Sequence, residues 1–164
     1  MATRARRPAV PSPDAAAVRA ASVSARLHDA GFKRSEVRDA VLQAFFQASE
    51  HISIEELTRR TREIAPKASY STVYRTLKLL VERGFAEVHD FGGSHALYEP
   101  TRAEHHDHLV CTSCGQVQEF EDAEIERLQA RAAKKYGFAM RSHRLELYGT
   151  CARCRASTAP PPEP

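Results

Sequence analysis

The chain has 164 residues, 42% of them hydrophobic, with 24 Lys and Arg against 21 Asp and Glu and a formal net charge of +3. That length suits one compact domain or two small ones sharing a linker. It offers no run near the ~18 apolar residues of a membrane span. Pro8, Pro11, Pro13 and Asp14 stand where a secretory leader would place its apolar segment, so a soluble cytoplasmic protein with no membrane association is expected.

Residues 1–20 hold Arg4, Arg6, Arg7 and Arg19 against Asp14, which accounts for the whole charge excess and leaves the remainder formally neutral. This Ala-, Arg- and Pro-rich stretch reads as a disordered basic arm. Any nucleic-acid surface beyond it has to be a local patch.

A helical period follows, defining a first domain over 21–100. "SARLHDAGF" predicts a short helix closed by Gly31. "SEVRDAVLQAFFQA" repeats apolar residues at Val37, Val41, Leu42, Phe45 and Phe46 behind the N-cap candidate Ser35. "SIEELTRRTREI" opens with the Ser53/Glu56 capping box. After Pro66, "SYSTVYRTLKLLVERG" puts Val73, Leu77, Leu80 and Val81 on one stripe and stops at Gly84. "FAEVHDFGGSHALYE" then reads as two short strands around Gly92-Gly93. Short helices followed by a two-stranded wing make the plan of a winged helix-turn-helix. Residues 101–104 read as a hinge. A second domain over 105–155 reads strand, helix, strand, and 156–164 as a loose tail. Some 50 residues are few for an isolated core, so this domain needs a staple or a second copy of itself. The predicted class is α+β, with a small α/β dimerisation domain behind the winged helix.

Opposite its apolar stripe, the 70–83 helix carries Tyr70, Ser71, Tyr74, Arg75 and Lys78. Tyrosine and arginine can meet base edges and Lys78 a phosphate, the front that a major-groove reader needs. On the helix alone, a solvated face explains these residues equally well; the hairpin placed directly after it favours DNA.

Two CxxC pairs, Cys111/Cys114 and Cys151/Cys154, are separated by 36 residues. Two thiolates at that spacing chelate from one turn, and two such knuckles close a tetrahedral Zn²⁺ site with no open position. Redox-active thiols and disulfides are the competing readings. Just upstream, "HHDH" at 105–108 entering a strand alternates faces, so His106 and His108 point one way and His105 and Asp107 the other. Candidate partners are His143, Glu126, His51 and Glu99. Mixed imidazole and carboxylate donors suit Fe²⁺, Mn²⁺, Co²⁺, Ni²⁺ or Zn²⁺ better than Cu⁺.

From about Ala21 to Cys154 the sequence resembles the ferric uptake regulator family of metal-dependent transcriptional repressors. The likeness is carried by "YSTVYRTLKLLVERG", "YEP", "HHDHLVCTSCGQVQEFED" and "SHRLELYGTCARC" in that order. It implies a structural zinc at Cys111, Cys114, Cys151 and Cys154, and a sensory site of His51, Glu99, His106 and His108 with Glu119 as a further or neighbouring ligand. It implies an additional metal site of His105, Asp107, Glu126 and His143. Tyr74 and Arg75 match the family's base-contacting pair, and Lys33 falls where the family reaches the minor groove. Val37 stands where the family often has Pro.

Peroxide-sensing relatives usually carry aspartates where Glu99 and Glu119 stand, and zinc sensors usually spend a cysteine in the sensory site. The resemblance therefore implies an Fe²⁺-sensing repressor, with zinc, manganese or peroxide sensing as the alternatives. It also implies a homodimer on an inverted-repeat double-stranded DNA operator. No HExxH, nucleophile motif or Gly-rich phosphate loop is present, so no enzyme is expected; a metallohydrolase or a metal store are the rival classes.

Overall fold

Ser12 and Pro13 open the first helix, the Ser12 hydroxyl accepting from the Ala15 N–H at 3.2 Å with Pro at the first helical position. The structure is a computed structural model describing residues 12–48, 51–92, 96–102 and 105–158. These fall into two compact units, 12–102 and 105–158.

In the first unit, α1 (Pro13–Asp29) packs Ala16, Ala20, Val23 and Leu27 inward. The expectation of a disordered arm over 1–20 is thus corrected from Pro13 onward. Alanine supplies the inward positions of the first two turns, and Arg19 fixes them: its guanidinium lies 4.9 Å from the Phe46 ring centre and donates to the Thr101 carbonyl. Small residues give a weak hydrophobic period, so the sequence pattern understates the length of this helix. Residues 1–11 lie outside the described residues, as do Gly93 of the expected turn, 103–104 of the hinge and 159–164 of the tail.

α2 (Glu36–Gln47) starts at Ser35, whose hydroxyl accepts from the Arg38 N–H, and buries Val41, Leu42, Phe45 and Phe46. α3 (Ile54–Ile64) starts at Ser53, which accepts from the Glu56 N–H at 3.2 Å. Hydrogen bonds from Arg59 and Arg60 hold the Glu56 carboxyl down to about 2. After a five-residue turn, α4 (Tyr70–Glu82) buries Val73, Thr76, Leu77 and Leu80. It ends in a Schellman motif: Gly84 at φ 70° donates to Val81 O, and Phe85 to Leu80 O.

The wing is a three-stranded sheet in the order β1-β3-β2, from β1 (Ile52–Ser53), β2 (Ala86–His89) and β3 (Leu97–Pro100). The third strand is an addition to the expected two-stranded wing; at two residues, β1 is too short to leave a period in the sequence.

In the second unit, β4 (Asp107–Cys111) lies between antiparallel β5 (Val117–Phe120) and parallel β6 (Glu146–Gly149), with α5 (Ala123–Lys135) as the crossover. The expected single strand before α5 is a hairpin. Its turn holds Cys111 and Cys114, with Gly115 at φ 72° donating to Cys111 O. α6 (Ala152–Thr158) follows Cys151, so residues 156–158, expected in the tail, are helical. No helix among the described residues is long and apolar enough to cross a membrane.

The two units differ in what they bury. The first has a continuous apolar core including Leu27, Val41, Leu42, Phe45, Leu57, Val73, Leu77 and Leu80. In the second, only Val110 and Cys111 among the described apolar residues are buried, alongside Asp107, His108 and Glu119. Since Leu27 fixes α1 to the core, Leu27→Ala should lower unfolding stability by about 2–5 kcal/mol, read as a fall in denaturant midpoint. A change under about 0.5 kcal/mol, typical of surface substitutions, would mean that α1 is not part of that core.

Candidate metal centres and nucleic-acid interface

The four cysteines converge. Cys111 Sγ stands 3.9 Å from Cys154 Sγ, Cys114 Sγ 3.9 Å from Cys151 Sγ, and all four sulfurs lie within 4.8 Å of one another. A tetrahedral ion with ~2.3 Å bonds to sulfur requires sulfurs about 3.8 Å apart, so the cluster fits zinc. The Cys151 N–H donates to Cys111 Sγ at 3.3 Å, and with the Cys114 and Ser113 amides it draws the Cys111 thiol down to about 6. Cys114 is lowered by the Gln116 amide and then by Arg153, whose Nη2 lies 3.6 Å from its sulfur. Hydrogen bonding to Cys151 and Cys114 pushes Cys154 up to about 12. A divalent cation among the four sulfurs would offset the charge that their thiolates bring together.

On one side of β4, His105 Nε2 lies 3.0 Å from Asp107 Oδ1 and 3.6 Å from Glu126 Oε1. His143 Nε2 lies 3.8 Å from the same aspartate oxygen and 3.1 Å from the same glutamate oxygen. The four donor atoms lie within 4.8 Å of one another. Asp107 is 1% exposed and its Oδ2 has no hydrogen-bond partner among the described residues. An unsatisfied buried polar group costs about 1–3 kcal/mol, more when charged. Two imidazoles and two carboxylates around it fit a divalent ion that would remove that cost. His143 reaches this position from the segment before β6 and not from the strand itself.

His106 and His108 occupy the other side, with ring centres 5.0 Å apart. His108 is paired across the ladder with Glu119, and His106 Nε2 is 3.9 Å from Glu119 Oε1. In the winged-helix unit, His51 Nε2 lies 3.3 Å from Glu99 Oε1, with both side chains at most 5% exposed. Each unit thus holds its share of the expected sensory set on adjacent donors.

The outward face of α4 presents Tyr70, Ser71, Tyr74, Arg75 and Lys78, all exposed. Arg75 Nε donates to the Ser71 carbonyl at 3.2 Å, and Lys78 Nζ lies 4.0 Å from Glu82. Burial raises the pKa of the wing's Tyr98, with smaller contributions from Tyr74, Tyr70 and Glu55. Lys33 is exposed in the segment before α2, and its carbonyl accepts from Arg38.

A model of the ferric uptake regulator family matches residues 29–148. A ferric uptake regulation protein of Rhizobium leguminosarum bv. viciae is 43% identical over 119 residues, covering 73% of this chain and 84% of that protein. The chain belongs to the ferric uptake regulator family. Among solved structures, the Helicobacter pylori ferric uptake regulator, described as having three functional metal binding sites, superposes at a TM-score of 0.80. It is 30% identical, over 97% of this chain and all of that one. A zinc-bound manganese uptake regulator superposes at 0.66, is 39% identical, and matches over 80% of this chain and 98% of that one.

Within this family member, sequence reasoning missed Glu87, His89 and Arg102. His89 Nε2 lies 2.8 Å from Glu99 Oε1, and Arg102 Nη2 lies 3.4 Å from Glu99 Oε2. Strand parity in "FAEVHD" puts Glu87 and His89 on one face, but their approach to Glu99 comes from the β2–β3 register, which pairs Glu87 with Glu99 and leaves no mark along the chain.

Two outcomes follow for the cysteine cluster. Cys154→Ser should abolish tight zinc binding and remove the cooperative melting of residues 105–158, as should chelation of the intact chain. Retained melting under chelation would overturn a structural role. Zinc loading should release protons at pH 7. Cys111 is mostly ionised there and protonated at pH 5, so the count per zinc should rise and apparent affinity fall on acidification, measured with a pH indicator.

Proposed function

We propose that the chain is a homodimeric, metal-responsive transcriptional repressor acting on inverted-repeat operators in the cytoplasm. Structural Zn²⁺ is held by Cys111, Cys114, Cys151 and Cys154, and Fe²⁺ is the regulatory ion. One observation carries the DNA reading: α4 is buried on its Val73/Leu77/Leu80 side and exposes Tyr70, Ser71, Tyr74, Arg75 and Lys78 on the other. It is also the second helix of a helix-turn-helix flanked by a wing. Tyr74 and Arg75 are assigned to base edges, Lys78 to a phosphate and Lys33 to the minor groove. The family's character as DNA-binding regulators supports this, and it leaves no catalytic role to assign.

The regulatory ligands are assigned to His51, Glu99, His106 and His108 with Glu119, following the family pattern. Their support here is chemical: buried or half-buried imidazoles and carboxylates stand beside one another in each unit. Fe²⁺, a borderline cation, suits this N/O donor set. Ligands drawn from both sides of residues 101–104 favour one disposition of the chain over others, which is what a population shift needs. Coupling of about 1–3 kcal/mol would change operator affinity roughly 5–150-fold. His105, Asp107, Glu126 and His143 are assigned to the additional site.

The dimer reading rests on what the second unit leaves uncovered. α5 buries no residue, while Tyr136 is 71% and Phe138 75% exposed. Leu109 and Leu147, register neighbours on β4 and β6, are also exposed. A second copy covers such a face, and the family is dimeric.

Manganese is the second reading, favoured by the 39% identity to a manganese uptake regulator. Fluorescence anisotropy of an inverted-repeat duplex with zinc-loaded protein, titrated without oxygen, separates them. Fe²⁺ at low micromolar concentration should tighten binding, and His106→Ala should abolish the effect. Arg75→Ala should lose operator binding with metal affinity nearly intact. A response to Mn²⁺ alone would replace the metal, and no response on any duplex would sink the repressor. Separately, Phe138→Asp should shift the sedimenting species from dimer towards monomer; an unchanged dimer would place the interface elsewhere.

A further inference from the structure

The wing collects donors that the regulatory set does not use. Glu87 and His89 lie two apart on β2 and so share a face, and the β2–β3 register sets Glu87 directly opposite Glu99. One donor atom from each of the three lies within 4.8 Å of the others. Two carboxylates directly opposite on a ladder repel, and here one of them belongs to a residue that is 1% exposed. Arg102 Nη2 approaches the far oxygen of Glu99, Oε2, at 3.4 Å, whereas His89 approaches Oε1 at 2.8 Å. The His89 side chain is 4% exposed, and its ring stacks on Phe91 at 5.3 Å with a 7° tilt between planes. That stacking fixes the imidazole, so little ordering would remain for a ligand to impose. Glu87 is exposed and gives the cluster an open side.

We propose that Glu87, His89 and Glu99 form a divalent transition-metal position contained within the winged-helix unit. One imidazole and two carboxylates suit Mn²⁺, Fe²⁺, Co²⁺ or Zn²⁺ and not soft Cu⁺. The position shares Glu99 with the proposed regulatory set, and in that respect it rests on the proposed function. It takes up an ion from solution through Glu87, next to the donor that the regulatory site also uses.

The test uses the zinc-loaded full chain carrying His106→Ala, His108→Ala and His143→Ala, which removes second-unit ligands from both other mixed-donor sites. Bound Mn²⁺ is counted by loss of the aqueous Mn²⁺ signal in electron paramagnetic resonance, at fixed salt and without oxygen. Adding Glu87→Gln, and separately His89→Ala, should each lower the number of ions held by one per chain, while adding His51→Ala should not. Glu87 is exposed, so its Gln variant should keep the parent's thermal midpoint, which separates ligand loss from misfolding. An ion count that Glu87→Gln leaves unchanged would overturn the proposal, as would an ion lost with His51→Ala alone. Operator binding by the unmutated chain reads the repressor hypothesis independently, so either idea can fail without the other.

Discussion

Residues 105–158 bury Asp107, His108 and Glu119 where a unit of that size would ordinarily bury leucines. Taking a carboxylate out of water costs several kcal/mol unless hydrogen bonds or a cation compensate it. The apolar contribution is small, since Val110 and Cys111 are the buried apolar residues described there and α5 buries none. The electrostatic demand of these carboxylates is therefore the constraint on which the unit's architecture turns. Both histidine clusters stand against them, and the four sulfurs close the end of the sheet at which β4 and β6 finish. The first unit has the opposite composition, an apolar core that needs no ion, and its α4 can present polar side chains outward without loss of support.

The two-residue period of β4 turns that demand into two separate chemistries. His105 and Asp107 meet Glu126 and His143 on one side, while His108 and its cross-strand partner Glu119 lie on the other with His106. Sharing one strand places the clusters a few residues apart in sequence and on opposite faces of the sheet. A register slip of one residue would exchange the two sets and expose Val110. The parallel pairing of His108 with Glu146 and Val110 with Tyr148 pins that register from the β6 side.

Much of this arrangement is legible in the amino-acid sequence. Strand parity separates the "HHDH" donors, CxxC spacing marks the sulfur cluster, and the Val73/Leu77/Leu80 stripe with its Gly84 stop defines α4. The family resemblance supplies the partners, because no local pattern links His51 to Glu99 or Glu126 to His143 across the intervening residues. Other features are hidden for identifiable reasons. The first turns of α1 bury alanines, which give almost no amphipathic signal. β1 is two residues long. The β4–β5 turn does carry a turn signal in Ser113 and Gly115, but the CxxC pair that fills it has a reading of its own as a metal knuckle, and the strands on either side are only five and four residues long. His89 looks like an isolated histidine along the chain, since its significance lies in the β2–β3 register.

The sulfur cluster and the β4–β6 pairing also impose an order on the birth of the molecule. Cys114 and Cys151 are separated by 36 residues, and β6 can dock beside β4 only after the α5 crossover has been made. Such non-local pairings close late, because the intervening loop must lose its freedom first. The helices of the first unit meet mostly their sequence neighbours, and domains tend to fold as units from the N-terminal side during synthesis. A nascent chain can therefore finish α4 and the core behind it before Cys154 has been added. In that interval Cys111 and Cys114 stand in the chain without Cys151 and Cys154, and a metal ion that met them there would find half of the sulfur cluster.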